Sequence, residues 1–314
     1  MLLLTEDDVA RLLTMPAAVD AVEEALRQQA AGAAESLPRR RLRTPSGALH
    51  LMAGSTGLGY LGLKAYTTFA DGAQFVVLLY DAHDGQLLAL IQADRLGQIR
   101  TGAASGVATR HLALADATTV GIFGTGWQAR SQLEAVRTVR SIRIVKAYGR
   151  DRERREAFCR DMTALLGVEV QPVERPEEVV EGSRIVVTAT TSERPVFDGR
   201  HLEPGTHVNA MGSNSLLKCE VDEAAVRRAD LVVVDSIEQA KLESGDLLGP
   251  IERGHLSWAR VRELDDVVAG RVGRRTREEI TLFESHGLGL EDVAAAARTY
   301  ELARERGFGL QVPL

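Results

Sequence analysis

Apolar residues recur along this chain in two rhythms, and the change from one to the other divides it. Tyr60 to Phe69, Phe75 to Asp81 and Gln86 to Gln92 are short apolar runs rich in β-branched and aromatic residues, and they predict strands. Arg39 to Arg43 and Ala48 to Met52 read the same way. Turn residues separate them at Pro45-Ser-Gly47, Asp71-Gly72 and Asp81-Ala-His-Asp-Gly85, the last a hairpin signal. Successive strands joined by tight turns predict an antiparallel sheet. Ahead of them, Thr5 caps a short helix with acids in its first turn. A second helix begins near Thr14-Met-Pro16 and carries Ala18, Val22, Ala25 and Leu26 on one side. From Asp94 to about Leu114 the period turns helical and small residues dominate, which reads as the helix leading into a second domain.

Beyond it, strand and helix patterns alternate. Thr118 to Phe123, Ser141 to Tyr148, Arg184 to Ala189, His207 to Met211 and Leu231 to Asp235 read as buried strands. Trp127 to Val139, Arg152 to Leu166 and Val221 to Arg228 read as helices between them. That order predicts a doubly wound parallel sheet. A last helix, Leu290 to Arg306, is expected to return to the first domain. The fold class is therefore α/β. A Rossmann-type domain at 116–289 is joined to a discontinuous antiparallel α+β domain at 1–115 with 290–314.

Composition narrows the function. The chain has 314 residues, 26% charged and 45% hydrophobic, with a net charge of −6. An acidic balance speaks against nucleic acid as the main partner, since binding phosphates needs a basic surface. No apolar run approaches membrane-spanning length, and Met1-Leu-Leu-Leu4 is too short for a secretory signal. Cys159 and Cys219 stand far apart and read as reduced thiols, so a cytoplasmic protein is expected. The seven histidines show no metal-ligand spacing, and no metal is assigned.

The chemistry concentrates in Val120-Gly-Ile-Phe-Gly-Thr-Gly-Trp-Gln-Ala129, where a strand gives way to a helix. The glycine spacing alone is weak; the flanking βαβ pattern is what points to a dinucleotide. Gly124 permits the tight turn, Gly126 lets the backbone approach a pyrophosphate, and Ala129 allows close packing. Thr125, Trp127 and Gln128 complete the turn, and the helix N-terminus offers N–H groups to the anion. The following strand ends in Gly149-Arg150-Asp151-Arg152. Gly149 leaves space, and Arg150, with Arg152 as a second candidate, suits a ribose 2′-phosphate, whereas Asp151 suits a 2′-hydroxyl. NADP(H) is favoured, with NAD(H) as the alternative. Thr188 to Ser192, including Thr190, and Met211-Gly-Ser-Asn214 end later strands on the ligand-binding face. Gly212 there would admit a flat ring, with Ser213 and Asn214 as polar contacts.

Cations also stand where the pattern is otherwise apolar. Lys64 lies within Tyr60-Leu-Gly-Leu-Lys-Ala-Tyr66, and Arg100 within a helix almost free of charge. Arg39, Arg41 and Arg43 share one face of a strand. A buried cation needs a partner or a ligand. Arginine grips carboxylates in bidentate fashion, and a desolvated lysine changes protonation state readily. The competing readings are a solvated arginine edge and a lysine whose ammonium reaches to solvent.

Leu49-His-Leu-Met52, Gly62-Leu-Lys64, Ile99-Arg-Thr101, Val120 to Ala129, His207-Val-Asn-Ala-Met-Gly212, Glu243-Ser-Gly-Asp246 and Thr281-Leu-Phe-Glu-Ser285 occur in one order. In that combination the chain resembles the ornithine cyclodeaminase and mu-crystallin family over almost its whole length. The resemblance implies a homodimer joined through the antiparallel domain, with catalysis in the cleft between the domains. It implies that Lys64 is the active-site lysine and that Arg100 lies on the substrate-carboxylate or cofactor side. The carboxylate-binding arginine of the first domain matches Arg39 or Arg41, and spacing from Met52 favours Arg39. Gly149-Arg150-Asp151 falls where NADPH-using members hold the 2′-phosphate, and Ser285 falls at a cofactor-contacting position.

One residue departs from the family pattern. Cyclodeaminases carry a catalytic aspartate two residues past the glycine of Asn-Ala-x-Gly, and here that position is Asn214. An amide orients a water or an imine but does not titrate near neutrality. The expected activity is thus an NAD(P)H-dependent imine or ketimine reductase, or an amino-acid dehydrogenase in reverse. Its substrate is a small α-imino, α-keto or amino acid. The alternatives are an ornithine cyclodeaminase using Lys64 alone and a non-catalytic NADPH-dependent binding protein.

Overall fold

The computed structural model describes residues 1–313. The chain opens with strand β1 (Leu2–Leu4) and helices α1 (Glu6–Leu12) and α2 (Met15–Ala30). Strands β2 (Glu35–Ser36), β3 (Arg40–Thr44), β4 (Gly47–Ser55), β5 (Tyr60–Phe69), β6 (Gly72–Asp81) and β7 (Leu87–Gln92) precede helix α3 (Asp94–Leu112). Then come β8 (Thr119–Phe123), α4 (Trp127–Val139), β9 (Ile144–Tyr148), α5 (Arg152–Leu166), β10 (Glu169–Pro172) and α6 (Pro176–Val180). They lead to β11 (Ile185–Thr188), β12 (His207–Ala210), α7 (Glu223–Arg228), β13 (Leu231–Val234), α8 (Ile237–Glu243) and α9 (Gly245–Glu252). Last are β14 (Arg262–Glu263), α10 (Leu264–Val268), β15 (Thr281–Glu284), α11 (Gly289–Arg306) and β16 (Leu310–Gln311). Two compact units result, Met1–Ala104 with the segment from Gly287, and Ser105–His286, a division that falls inside α3. No helix among the described residues is long and apolar enough to cross a membrane.

The first unit holds a sheet ordered β16-β1-β7-β6-β5-β4-β2, with β3 also on β4. The antiparallel expectation needs one correction. β1 pairs parallel with β7, Leu3 opposite Leu90, so the sheet is mixed. Three leucines carry no readable period, and a parallel partner is reached only through a long connection. Thr5 and Thr14 cap α1 and α2 as their sequence positions suggest. Helix α11 is buried along nearly its whole circumference, including Glu291 and Asp292 in its first turn. Two glycines allow its close seat on β4. A Cβ on Gly54 would lie 2.7 Å from the Leu290 nitrogen, and one on Gly289 would lie 2.4 Å from the Ala53 carbonyl oxygen. That seat carries the two acids into the interior.

The second unit is a parallel sheet ordered β10-β9-β8-β11-β12-β15-β13-β14. Every residue of β11, β12, β13 and β15 is buried, as expected of strands covered on both faces. Phe123, Val186, Val208, Val232 and Leu282 belong to one core, and Val120, Ile122, Leu133, Phe158 and Met162 to another. The chain winds outward from β8 to β10, then returns to β11 on the other side of β8. The reversal beside β8 is where such sheets bind ligands. β15 inserts between β12 and β13. Thr281–Glu284 is therefore a central strand, although its polar ends hide it in the sequence.

Candidate active site

In the first unit, β5 alternates so that Lys64 points to the interior, opposite buried Met52 on β4 and Val77 on β6. Lys64 is 3% exposed, and its ammonium meets α11, where Nζ donates to Asp292 Oδ1 at 2.8 Å. The same oxygen lies 2.9 Å from Arg100 Nε, and Arg100 Nη1 donates to Glu291 Oε2 at 2.7 Å. Burial and the nearby Arg100 lower the Lys64 pKa to about 7, against the pull of Asp292. Lys64 is therefore poised between its two protonation states at neutral pH. Arg39 is buried beside it, its Nε directed at Met52 Sδ at 3.3 Å. Arg41 is half-buried and donates from Nε to His50 Nδ1 at 3.2 Å. His50 stacks on Tyr66 at 4.2 Å, and the Lys64 ammonium lies 5.6 Å from the Tyr66 ring centre.

The structure thus brings together Lys64, Arg100 and Arg39. Glu291 and Asp292 were missed in the sequence because two acids at a helix start read as partners of the helix dipole. The signal available was the alanine-rich run that follows, which marks a buried helix whose acids must face cations.

In the second unit, a cavity of about 460 Å³ opens at the ends of β8, β9 and β11. Gly124, Thr125, Gly126, Gly149, Arg150, Asp151 and Thr190 line it. Gly124 has φ +107°, and a Cβ there would sit 2.3 Å from the Ala189 carbonyl oxygen. A Cβ on Gly126 would meet nothing within 4 Å, so its backbone faces open space. Gly126 caps α4 with no side chain, leaving first-turn N–H groups for an anion. These features fit a dinucleotide pyrophosphate. Trp127 is half-exposed at the helix start and Ala129 is fully buried in the core. Gln128 does not line the cavity, and its Oε1 is buried with no hydrogen-bond partner.

At the end of β9, Asp151 caps α5 by accepting from the Arg154 N–H at 3.0 Å. Arg150 and Arg154 both line the cavity. Arg152 instead pairs with Glu156 at 2.8 Å along the exposed helix. Arg154 escaped the sequence reading because it lies in the first turn of α5, beyond the residues that end the strand.

The remaining strand ends are held by buried acids. The Glu220 carboxylate accepts from Thr188 Oγ1, the Thr190 N–H and Oγ1, and the Gly212 N–H, at 2.5–2.7 Å. Burial pushes its pKa up in spite of these bonds. Asp246 accepts from the Glu220 and Val221 N–H groups at 2.7 and 2.8 Å, and burial with nearby Glu284 raises its pKa. Ser285 Oγ and the His286 N–H donate to Asp235 at 2.9 and 2.7 Å. Burial opposes charge on His286, but Asp235 and Glu284 outweigh it and lift its pKa to about 10. Met211 Sδ accepts from Ser105 Oγ, and Ser213 Oγ donates to the Lys218 carbonyl. Asn214 is exposed, and its Oδ1 accepts from Lys218 Nζ at 2.9 Å.

The model of the ornithine cyclodeaminase/mu-crystallin family matches residues 1–307. The Δ1-pyrroline-2-carboxylate reductase of Bacillus cereus is 38% identical over 265 residues, 82% of this chain and 81% of that protein. Among solved structures, Thermococcus litoralis Δ1-pyrroline-2-carboxylate reductase in complex with NADH and L-proline superposes with a TM-score of 0.94 at 35% identity. That match covers 99% of this chain and 100% of that one. An archaeal alanine dehydrogenase dimer with bound NAD gives a TM-score of 0.93 at 33% identity, covering 100% and 99% of the two chains.

Proposed function

The chain belongs to the ornithine cyclodeaminase/mu-crystallin family, and from that premise we propose that it is an NAD(P)H-dependent reductase of small α-imino acids. The single observation that carries the reading is the Lys64 ammonium, enclosed with Asp292 and Arg100 and drawn down to about neutrality. Relatives that reduce a cyclic imino acid or oxidise an amino acid fit that chemistry. A bound nicotinamide supplies the hydride for the sp² carbon. Arg39, favoured over Arg41 by its burial beside Met52, and Arg100 grip the substrate carboxylate. Lys64 gives its proton to the nitrogen as the new C–H bond forms, then recovers one from solvent. Asp292 keeps the ammonium aimed. In reverse, neutral Lys64 takes the proton from the amino group. A homodimer through the first sheet is supported by Leu42, Leu51 and Leu61, exposed on its outward face.

The two directions should respond oppositely to pH. Imine reduction needs protonated Lys64 and should fall as pH rises through about 7, whereas amino-acid oxidation should rise there. Initial rates from pH 5 to 10, with Δ1-pyrroline-2-carboxylate and with proline, check this; parallel profiles would contradict it.

NADP(H) is the favoured coenzyme, because Arg150 and Arg154 line the cavity while the Asp151 carboxylate is occupied as a helix cap. Arg150→Ala should raise the NADPH Kd about tenfold, the scale of a charged hydrogen bond, and leave that of NADH nearly unchanged. Equal effects on both by titration would show that Arg150 does not read a 2′-phosphate.

The test of the reading is oxidation of NADH or NADPH with cyclic imino acids, and with pyruvate plus ammonia. No turnover with any of them, despite coenzyme binding, would favour a binding protein. The Asn214 amide weighs against a cyclodeaminase; proline and ammonia formed from L-ornithine over many turnovers would restore that alternative.

A further inference from the structure

Three residues that line the dinucleotide cavity are tied to two adjacent residues, Cys219 and Glu220. Thr190 donates to the Glu220 carboxylate through its N–H at 2.5 Å and its hydroxyl at 2.6 Å. The Ser192 carbonyl accepts from the Cys219 N–H at 3.0 Å, and the Val196 N–H donates to the Glu220 carbonyl at 2.9 Å. The other oxygen of the carboxylate takes Thr188 Oγ1 at 2.7 Å and the Gly212 N–H at 2.6 Å. Glu220 is 0% exposed, so water cannot substitute for any of these bonds. Room for it comes from Gly212. A Cβ there would lie 2.5 Å from Glu220 Cδ and 2.2 Å from the Thr190 carbonyl oxygen. That glycine makes way for a protein carboxylate.

We propose that Glu220 is a positioning residue, whose carboxylate bridges the loop after β11 to the end of β12 and so fixes the wall against which the dinucleotide binds. The inference rests on the coenzyme reading given above. Both oxygens accept from backbone N–H groups, one from Thr190 and one from Gly212. A glutamine would therefore turn its NH2 toward a backbone N–H in either orientation, and the bridge fails on one side.

The test compares Glu220→Gln and Thr188→Val by fluorescence titration with NADH and NADPH, alongside thermal unfolding and steady-state kinetics. Thr188 does not line the cavity, is fully buried, and donates its hydroxyl to Glu220, so the nearly isosteric valine probes the bridge alone. Glu220→Gln should raise the coenzyme Kd about tenfold, and Thr188→Val about threefold, as expected for lost hydrogen bonds. In both, kcat at saturating coenzyme should stay within about threefold, since the reacting groups are untouched. In the double variant the Thr188 effect should vanish, because both changes act on one bridge. Additive effects, or coenzyme affinities within about twofold of the unaltered protein, overturn the proposal. Should Glu220→Gln not fold, Thr188→Val decides it alone by the same criterion. Failure of the unaltered protein to bind either coenzyme removes the premise itself, a result distinct from normal binding in the variants.

Discussion

Lys64→Met should lower the rate of imine reduction by about a hundredfold to ten-thousandfold, the range a positioned general acid contributes, while coenzyme affinity stays near that of the unaltered protein. Methionine is close to lysine in length and apolar, so it fills the slot between Met52 and Val77 without a charge. Asp292 keeps Arg100 Nε at 2.9 Å, so its carboxylate is not left without a cation. The fall in rate is therefore chemical and not a consequence of unfolding. The pH limb near 7 should vanish from both directions with the lysine. A second sign distinguishes Lys64 thermodynamically. Its pKa in the fold, about 7, lies below the ordinary 10.5. Between those values the unfolded chain holds the extra proton, so the Lys64 contribution to stability rises with pH across that window and is lost as pH falls through 7. In Lys64→Met this slope is absent. A variant with kcat within tenfold of the parent, or with the limb near 7 intact, would assign the proton to another group.

The sequence reveals the parts of this protein whose residues obey a period or a known turn chemistry. Tyr60 to Phe69, Trp127 to Val139 and Arg152 to Leu166 coincide with β5, α4 and α5 end to end. Their patterns agree with their environments, so propensity and burial point the same way. Lys64 and Arg100 stood out because a cation in an apolar run is costly without a partner. What stayed hidden is what tertiary contact alone defines. β1, β10 and β15 have only three or four residues each, too few for a period. Thr281 and Glu284 mask a central strand because they are polar, yet they are buried and bonded inside to His207 and Ser244. The partners of the visible cations lie more than 190 positions away, on a helix whose acids also serve its own first turn. Gly212 illustrates the limit most plainly: its spacing is legible, but the neighbour that requires the missing side chain is Glu220.

Asp292→Asn should prove the most destabilising single change in the first unit, by about 3–5 kcal/mol, because it removes the negative charge shared by two buried basic groups at once. Lys64 Nζ and Arg100 Nε both rest on Asp292 Oδ1, at 2.8 and 2.9 Å, leaving Glu291 as the one further carboxylate this helix turn directs at Arg100. Asparagine preserves shape and an acceptor oxygen but removes the charge that makes the enclosure tolerable. A loss of that size is a large share of the margin by which folded proteins exceed their unfolded chains. The same change has a directional effect on chemistry. Asp292 holds the Lys64 pKa up against burial and Arg100, so its neutralisation moves that pKa below 7. At pH 7 less Lys64 is then protonated, and imine reduction slows, with its falling limb displaced to lower pH. Amino-acid oxidation has its rising limb displaced the same way, so at pH 6 it loses less of its plateau rate than in the parent. Denaturant unfolding and paired pH–rate profiles measure both consequences. A stability change under about 1 kcal/mol would mean that the cluster is solvated and the charges are screened. An unmoved limb would mean that Asp292 braces the helix without governing the proton.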